Sequence, residues 1–210
     1  MKNSGDPGGK EKGLPSLRHS DGVTLIELIV VVSVIGILVI ALGFSFQGWR
    51  GKYQVESEIK EMYVDLMNAR ARALQRNRVH FFRLNGPTSY SIYEDDSNGT
   101  AKVPDGDGTL QTGTGVTADT QLASFPKTIE HEMSWNNAAI GAAVNLPFNT
   151  RGLLNGSGGT ISIYVDRDAD GEKDFDPDYD CIEIAASRIN MGIIDDKGTS
   201  SRADDECEAK

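Results

Sequence analysis

An acidic segment near the C-terminus has the residue types and the spacing of a site for a hard cation. Asp166, Asp168 and Asp170 alternate with other residues and are followed by Gly171, as at the opening of a Ca²⁺-binding loop. Carboxylates this close together repel one another unless they share a cation. The segment therefore predicts a Ca²⁺ site formed by four carboxylates, those of Asp166, Asp168, Asp170 and Asp174.

The same segment also has a simpler interpretation. An EF-hand requires a bidentate Glu at the twelfth position of the loop, and Pro177 stands there, so an EF-hand is excluded. Further carboxylates follow at Asp176, Asp178 and Asp180. The alternative is a solvated acidic loop between a strand that ends at Val165 and a strand that begins at Asp180.

A single acidic residue heads a long apolar run near the N-terminus. Glu27 precedes residues 28–46, which are almost entirely apolar. About 19 residues at 1.5 Å per residue extend about 28 Å, enough to cross a hydrocarbon core of about 30 Å. A secretory signal has a shorter apolar region, and its cleavage site follows that region. An ionisable group at the edge of such a run is functional by default.

Residues 22–27 resemble the N-terminus of type IV prepilins and pseudopilins. In that family a prepilin peptidase cuts after a Gly and methylates the new N-terminus, and a Glu stands fifth in the mature chain. Cleavage after Gly22 would make Val23 the first residue and Glu27 the fifth. The family usually has Phe where this chain has Val23. The resemblance implies a structural subunit in which Glu27 neutralises the N-terminal amine of a neighbouring subunit.

The resemblance also implies a domain organisation and a location. Residues 1–22 would be a cytoplasmic leader that is removed, residues 23–52 the transmembrane half of a long helix, and residues 53–210 a periplasmic globular domain. Four basic and three acidic residues precede Val23, whereas the whole chain carries a net charge of −10. This asymmetry fits a leader on the cytoplasmic side and an acidic body outside.

The implied partners are the prepilin peptidase, other pilins or pseudopilins, an inner-membrane assembly platform and the membrane itself. The filament would be a type II secretion pseudopilus or a type IV pilus. The alternative is a bitopic membrane-anchored periplasmic binding module whose acidic loop binds a cation. Cleavage after Gly22 distinguishes the two, because only a pilin precursor is cut there.

Four further stretches resemble the minor pilins of the GspH/FimT-like group. Residues 68–74 match a helix end rich in Ala and Arg, and residues 146–152 match an aliphatic-x-Phe-x-x-x-Gly turn. Residues 159–165 and 180–187 match the closing hairpin of that group. The fold that this resemblance implies is pilin-like.

The periodicity of apolar residues predicts an α+β fold. A helix is predicted over residues 25–77, because its second half has an apolar stripe with steps of three and four: Val55, Ile59, Met62, Leu66, Ala69 and Ala73. Strands are predicted over residues 79–84, 89–93, 121–125, 128–135, 142–148, 159–165, 180–187 and 189–194. We expect the helix to lie across one antiparallel sheet of six to eight strands, with residues 95–120 forming a long loop.

The two cysteines, Cys181 and Cys207, are a candidate disulfide in an exported body. Two free thiols or a metal pair are the alternatives, although no His lies near either cysteine. The bridge would hold the polar C-terminal tail, which has little apolar surface of its own.

The sequence contains no pattern typical of an enzyme. His19, His80 and His131 lack a neighbouring nucleophile motif, and no HExxH, CxxC or phosphate-binding loop occurs. We interpret the three histidines as surface or partly packed residues and expect no catalytic activity.

A basic cluster lies around the predicted end of the helix. It comprises Arg70, Arg72, Arg76, Arg78 and Arg83. The acidic net charge works against nucleic-acid binding, because the long-range field repels polyanions. We expect these arginines to balance Glu56, Glu61 and Asp65 on the same helix and to meet neighbouring subunits.

Overall fold

A computed structural model describes residues 22–104, 106–167, 173–195 and 206–210, with only the backbone described for helical residues 41–47. The chain divides into two compact units, Met1–Gly43 and Phe44–Lys210. Helix α1, Leu25–Arg76, continues through the boundary, and eleven β-strands follow it within the described residues. The fold is α+β with antiparallel sheets, as the sequence predicts, and α1 ends one residue before the predicted end.

The first unit contributes the N-terminal part of α1. Thr24 caps the helix, since the backbone N–H of Glu27 donates to Thr24 Oγ1 at 3.3 Å and the N–H of Leu28 donates to the Thr24 carbonyl at 3.1 Å. The Val, Ile and Leu side chains between Leu25 and Ile40 are all at least half exposed. Within the residues whose side chains are described, no helix combines the length and the apolar character needed to cross a membrane.

In the second unit, α1 buries the predicted apolar stripe. All six of its side chains are at most 2% exposed: Val55, Ile59, Met62, Leu66, Ala69 and Ala73. The helix stops where Asn77 adopts a positive φ of 51°, and the N–H of Arg78 then donates to the Ala73 carbonyl at 3.3 Å. The stripe therefore positions α1 against the strands.

The first sheet is built around the predicted hairpin. Its strands are β1 (His80–Gly86), β2 (Ser89–Glu94), β3 (Thr120–Gln121), β4 (Lys127–Thr128) and β7 (Val144–Phe148). The strand order is β3-β2-β1-β7, with β4 also paired to β2, and every pair is antiparallel. Phe82 pairs with Ile92 on one side and with Leu146 on the other, which places apolar side chains on one face of the sheet.

The second sheet contains the remaining strands. They are β5 (Met133–Trp135), β6 (Ala138–Ala139), β8 (Gly159–Ile163), β9 (Cys181–Ile184), β10 (Ile189–Asp195) and β11 (Glu206–Ala209). The order is β11-β10-β9-β8-β5-β6, again antiparallel throughout. Apolar residues of both sheets and of the second half of α1 form one core, in which the Phe82 and Tyr90 rings stack at 5.2 Å.

The prediction of a single sheet of six to eight strands was wrong. The predicted strand over residues 128–135 changes sheet, because Thr128 pairs with Ser89 in the first sheet whereas Ser134 pairs with Ser162 in the second. The predicted strand over residues 121–125 ends early, because the N–H of Phe125 donates to the Leu122 carbonyl and forms a turn. Strands β6 and β11 were not predicted, since neither has an apolar alternation.

Candidate processing, assembly and cation sites

The predicted processing site lies just before α1. Gly22 and Val23 are exposed, and a Cβ at Gly22 would meet no atom within 4 Å, so contacts within the described residues do not demand glycine there. Glu27 lies in the first turn of α1 and is exposed. Among the described residues Glu27 forms no ion pair. Its carboxylate is therefore accessible to a group outside this part of the chain.

The two cysteines form a disulfide that passes over a glycine. Cys181 lies on β9 and Cys207 on β11, and their Cα atoms are 6.0 Å apart. Between them, on β10, stands Gly192, which pairs with Cys181. A Cβ at Gly192 would overlap the Glu208 carbonyl oxygen and lie 3.0 Å from Cys207 Sγ. Only glycine leaves space for the bridge and for the close approach of β11.

The predicted calcium residues are only partly described. Asp168 and Asp170 lie outside the described residues. Asp166 and Asp174 are described, and Asp174 Oδ2 accepts a hydrogen bond from the Arg167 backbone N–H at 2.8 Å. The described residues contain no group of three or more His, Cys, Asp or Glu side chains placed to hold a metal ion.

One further carboxylate of the acidic segment has an internal cation. Asp180 is completely buried and pairs with Lys173 Nζ at 3.0 Å, while its other oxygen accepts the Ile194 N–H at 2.6 Å. Burial raises the pKa of the Asp180 carboxyl. The sequence did not predict this role of Lys173, because only the folded conformation shows which of the surrounding carboxylates its ammonium group contacts.

The acidic segment is attached to α1 through an aromatic ring. Phe175 packs directly on Gly51, where any Cβ would overlap the ring. Arg167 lies over the same ring at 5.0 Å, and Lys52 Nζ is 3.4 Å from Asp178 Oδ1. The absence of a side chain at Gly51 therefore allows the Phe175 ring to approach the helix backbone closely.

The loop over residues 95–120 is held by buried carboxylates. Asp119 accepts three backbone N–H groups, those of Asp96, Ser97 and Gln111, at 2.8–3.1 Å. Asp95 accepts the N–H groups of Asp107 at 3.1 Å and Gly108 at 2.8 Å. Burial raises the pKa of Asp95 to about 6 and also raises the pKa of Asp119. The sequence signal for this arrangement is the spacing of Asp with Gly, which also predicts ordinary turns.

A lysine completes that loop. Lys102 Nζ donates to Asp96 Oδ1 at 2.7 Å, to the Ala118 carbonyl at 2.6 Å and to Thr120 Oγ1 at 2.9 Å. Three oxygens of different kinds thus surround one ammonium group. The loop is a packed element, with Asp95 and Ala118 both buried.

The expectation that the basic cluster balances the acidic residues of the helix was wrong. Of the basic cluster, Arg76 and Arg78 pair with Glu94 on β2, at 2.7 and 2.9 Å, and not with helix acids. The helix acids instead have lysine partners: Lys127 Nζ lies 2.6 Å from Asp65 and 2.8 Å from Glu61, and Lys60 pairs with Glu56. The reason is that Asp65 is buried facing the sheet, where β4 brings Lys127 to it.

The described histidines are buried, whereas surface or partly packed positions were expected. His80 is fully buried on β1, and burial lowers its pKa. His131 Nδ1 lies 3.1 Å from Glu58 Oε2, and both residues are buried. Both histidines therefore have positions in the packed structure of the second unit. His19 lies outside the described residues.

Comparison with known families gives one match. Residues 17–43 match the family described as prokaryotic N-terminal methylation motif, and this stretch contains Gly22, Val23 and Glu27. No curated protein matches the chain. No solved structure matches it either. The methylation motif points to a structural subunit that is a substrate of prepilin peptidase and assembles with other pilins. The N-terminal segment of this chain thus carries the signature of type IV pilin and pseudopilin precursors.

Proposed function

We propose that this chain is a minor pilin or pseudopilin. It is made as a precursor, cut after Gly22 by prepilin peptidase and N-methylated at Val23. It then assembles through its N-terminal helix into a type II secretion pseudopilus or a type IV pilus. The observation that carries the proposal is the methylation motif at residues 17–43, which includes the Gly, the new N-terminus and the fifth-position Glu.

The exposed carboxylate of Glu27 supports a role in assembly. A carboxylate among closely packed apolar helices is unfavourable unless it is paired. Cleavage creates an amine at Val23, and Glu27 has no ion-pair partner within the described residues of its own chain. Pairing of Glu27 with the Val23 amine of a neighbouring subunit neutralises both charges. A subunit in the wrong axial register would bury both charges unpaired, so the pairing selects the register.

Two features support membrane attachment with the body in an oxidising compartment. The Val, Ile and Leu side chains of residues 25–40 are exposed along one continuous helix. The Cys181–Cys207 disulfide belongs to an oxidising compartment such as the periplasm. The proposed location is therefore the inner membrane, with one pass and the second unit in the periplasm, and thereafter a filament.

The turn at residues 146–152 supports membership of the GspH/FimT-like group. Gly152 has a positive φ of 68°, and its N–H donates to the Asn149 carbonyl at 2.8 Å. A Cβ at Gly152 would lie 2.9 Å from the Leu74 side chain at the end of α1. The aliphatic-x-Phe-x-x-x-Gly stretch thus forms a tight turn against the helix end.

Calcium binding by the acidic segment is a second, separate proposal. Asp166 and Asp174 are exposed or partly exposed beside Arg167, and Asp168 and Asp170 complete the proposed oxygen set. A Ca²⁺ ion would relieve repulsion between these carboxylates, which the internal cation Lys173 does not neutralise because it pairs with Asp180.

Two variants test processing and assembly separately. We expect Gly22→Val to leave an uncut precursor in the membrane. The peptidase must approach the backbone at the cleavage point closely, and a Cβ there would obstruct it. We expect Glu27→Leu to be cut normally but to be at least about tenfold depleted from sheared filaments, equivalent to about 1.4 kcal/mol of lost pairing energy. The measurement is immunoblotting of membrane and filament fractions.

Glu27→Asp, which keeps the charge, is the matched control for Glu27→Leu. Normal mature protein from Gly22→Val would contradict the assignment of Gly22 as the cleavage point, whereas a wild-type protein that is never cut would favour the bitopic binding module. Wild-type incorporation of Glu27→Leu would contradict the register role alone.

A further inference from the structure

Two solvent-exposed aromatic side chains stack on one face of α1. The Trp49 and Tyr53 rings are 6.1 Å apart, with an interplanar angle of 25°. They are four residues apart, so they lie on the same helix face. Trp49 is 61% exposed and Tyr53 is 66% exposed. Together with Arg50, Gln54 and Ser57 they line a shallow groove.

The same helix turn is attached to the body by its opposite face. Gly51 and Val55 are buried, and Phe175 packs on Gly51. The aromatic pair therefore cannot turn into the core without breaking that contact. The exposure of the two rings is therefore a property of the packed second unit.

The order of residue types along α1 indicates what covers the pair. Residues 25–40 are mostly apolar and exposed, and the aromatic pair with Arg50 and Lys52 follows them in the sequence. Acidic and amide side chains come next, at Gln54, Glu56 and Glu58. Trp and Tyr are enriched at membrane–water interfaces, because each ring has an apolar body and a polar group that reaches water. A neighbouring cation suits the phosphates of the headgroups.

We propose that Trp49 and Tyr53, with Arg50 beside them, bind the headgroup region of a phospholipid bilayer, and that the Phe175–Gly51 contact holds the body at that level. This inference rests on the proposed membrane attachment of the chain. The helix turn 49–53 contacts lipid headgroups through one face and the acidic segment through the other. The body is then held next to the membrane surface at a defined height.

Fluorescence quenching by brominated lipids tests the depth of Trp49. The chain has two tryptophans, so Trp135→Phe leaves Trp49 as the single reporter in the full-length protein. The protein is reconstituted at a low protein-to-lipid ratio into phosphatidylethanolamine–phosphatidylglycerol vesicles, with bromines placed either near the headgroups or near the bilayer centre. We expect the shallow bromines to quench Trp49 at least about twofold more than the deep ones.

Two further variants sharpen the experiment. Trp49→Phe leaves Trp135, which packs against the core from β5, and we expect neither bromine position to quench it. Tyr53→Ser in the Trp135→Phe background removes the stacked partner and should reduce the preference for shallow bromines.

Three outcomes overturn the inference. They are equal or stronger quenching of Trp49 by deep bromines, absence of quenching in protein that floats with the vesicles, and failure of the protein to float. Cleavage by prepilin peptidase in the same vesicles separates this test from the proposed function. Cleavage without shallow quenching contradicts only the inference, whereas shallow quenching without cleavage contradicts only the pilin assignment.

Discussion

Two acidic regions of the body look alike in the sequence and are neutralised differently in the structure. In the loop over residues 95–120, backbone N–H groups point at the buried carboxylates of Asp95 and Asp119. In the described part of the segment from Asp166 to Asp180, two carboxylates instead pair with side-chain cations, Asp180 with Lys173 and Asp178 with Lys52.

The difference shows that a run of Asp and Gly has at least two structural uses. Carboxylates that accept several N–H groups organise a loop from within and need no metal. Carboxylates that remain exposed keep their oxygens available for an external cation. Each use can be tested by the change in protein stability when a carboxylate is removed by mutation, when calcium is added or when the pH is lowered.

The largest effect is expected at the centre of the first loop. Asp119→Ala leaves the N–H groups of Asp96, Ser97 and Gln111 without their acceptor, and we expect a loss of about 3 kcal/mol of unfolding free energy. Urea unfolding of a fragment that keeps the second unit, Phe44–Lys210, measures this loss.

Asp178→Ala is the matched control in the second segment. Its ion pair with Lys52 is exposed, so we expect a change of at most about 0.5 kcal/mol. Equal losses in the two variants would show that the regions do not differ in the way described.

The second prediction concerns calcium and the acidic segment. A ligand that binds only the folded state at 100 times its Kd stabilises by about 2.7 kcal/mol. The same fragment should therefore melt several degrees higher in millimolar CaCl₂ than in EDTA, with Mg²⁺ much less effective. Asp168→Ala combined with Asp170→Ala should abolish this difference, whereas Asp107→Ala in the first loop should preserve it. Superimposable melting curves with and without calcium would leave the segment as a solvated loop.

The smallest predicted effect is a pH dependence that arises from Asp95. Burial raises its pKa to about 6 in the folded state, whereas an unfolded Asp titrates at 3.8. Between these values the folded state binds the proton more tightly, so the contribution of Asp95 to stability increases as the pH falls from 7 to 5, by about 1 kcal/mol. Urea unfolding of wild type and Asp95→Asn at both pH values measures this increment.

The comparison must be made as a difference between the two proteins, because other groups titrate in the same window. The raised pKa values of Asp119 and Asp180 act in the same direction. The lowered pKa of buried His80 acts in the opposite direction, since its stabilising contribution is lost as the pH falls below 6.5. Lys102 and Asp107 lie close to Asp95 or its neighbours and are retained in both proteins. An identical pH dependence in Asp95→Asn would contradict the assignment.

Local patterns in the sequence were sufficient for the elements whose residues repeat regularly. The stripe from Val55 to Ala73 has helical spacing, and its burial follows from that spacing alone. The hairpin of β1 and β2 was predicted because its strands alternate around Asn85-Gly86-Pro87. The disulfide partners could be predicted because the sequence contains only two cysteines, Cys181 and Cys207.

Contacts that depend on the folded conformation could not be predicted from local sequence patterns. The requirement for glycine at position 51 depends on Phe175, which lies far along the chain. Lys173 and Lys102 neutralise particular carboxylates through the conformation of their loops, which no periodic pattern in the sequence reveals. The division into two sheets depends on where residues 128–134 change partners, and apolar alternation is the same in either sheet. The role of Asp168 and Asp170 as calcium ligands remains a prediction.

The disulfide over Gly192 has a consequence for self-association of the molecule. Strand β11 has only four residues and forms the edge of its sheet, where it covers the N–H and C=O groups of β10. Free in solution, so short a strand would compete poorly with strands of other molecules for that edge. The covalent link gives β11 a high effective concentration at its own sheet, so an intermolecular strand rarely displaces it. Reduction of this bond is thus expected to uncover the edge of β10, which then becomes a template for edge-to-edge aggregation.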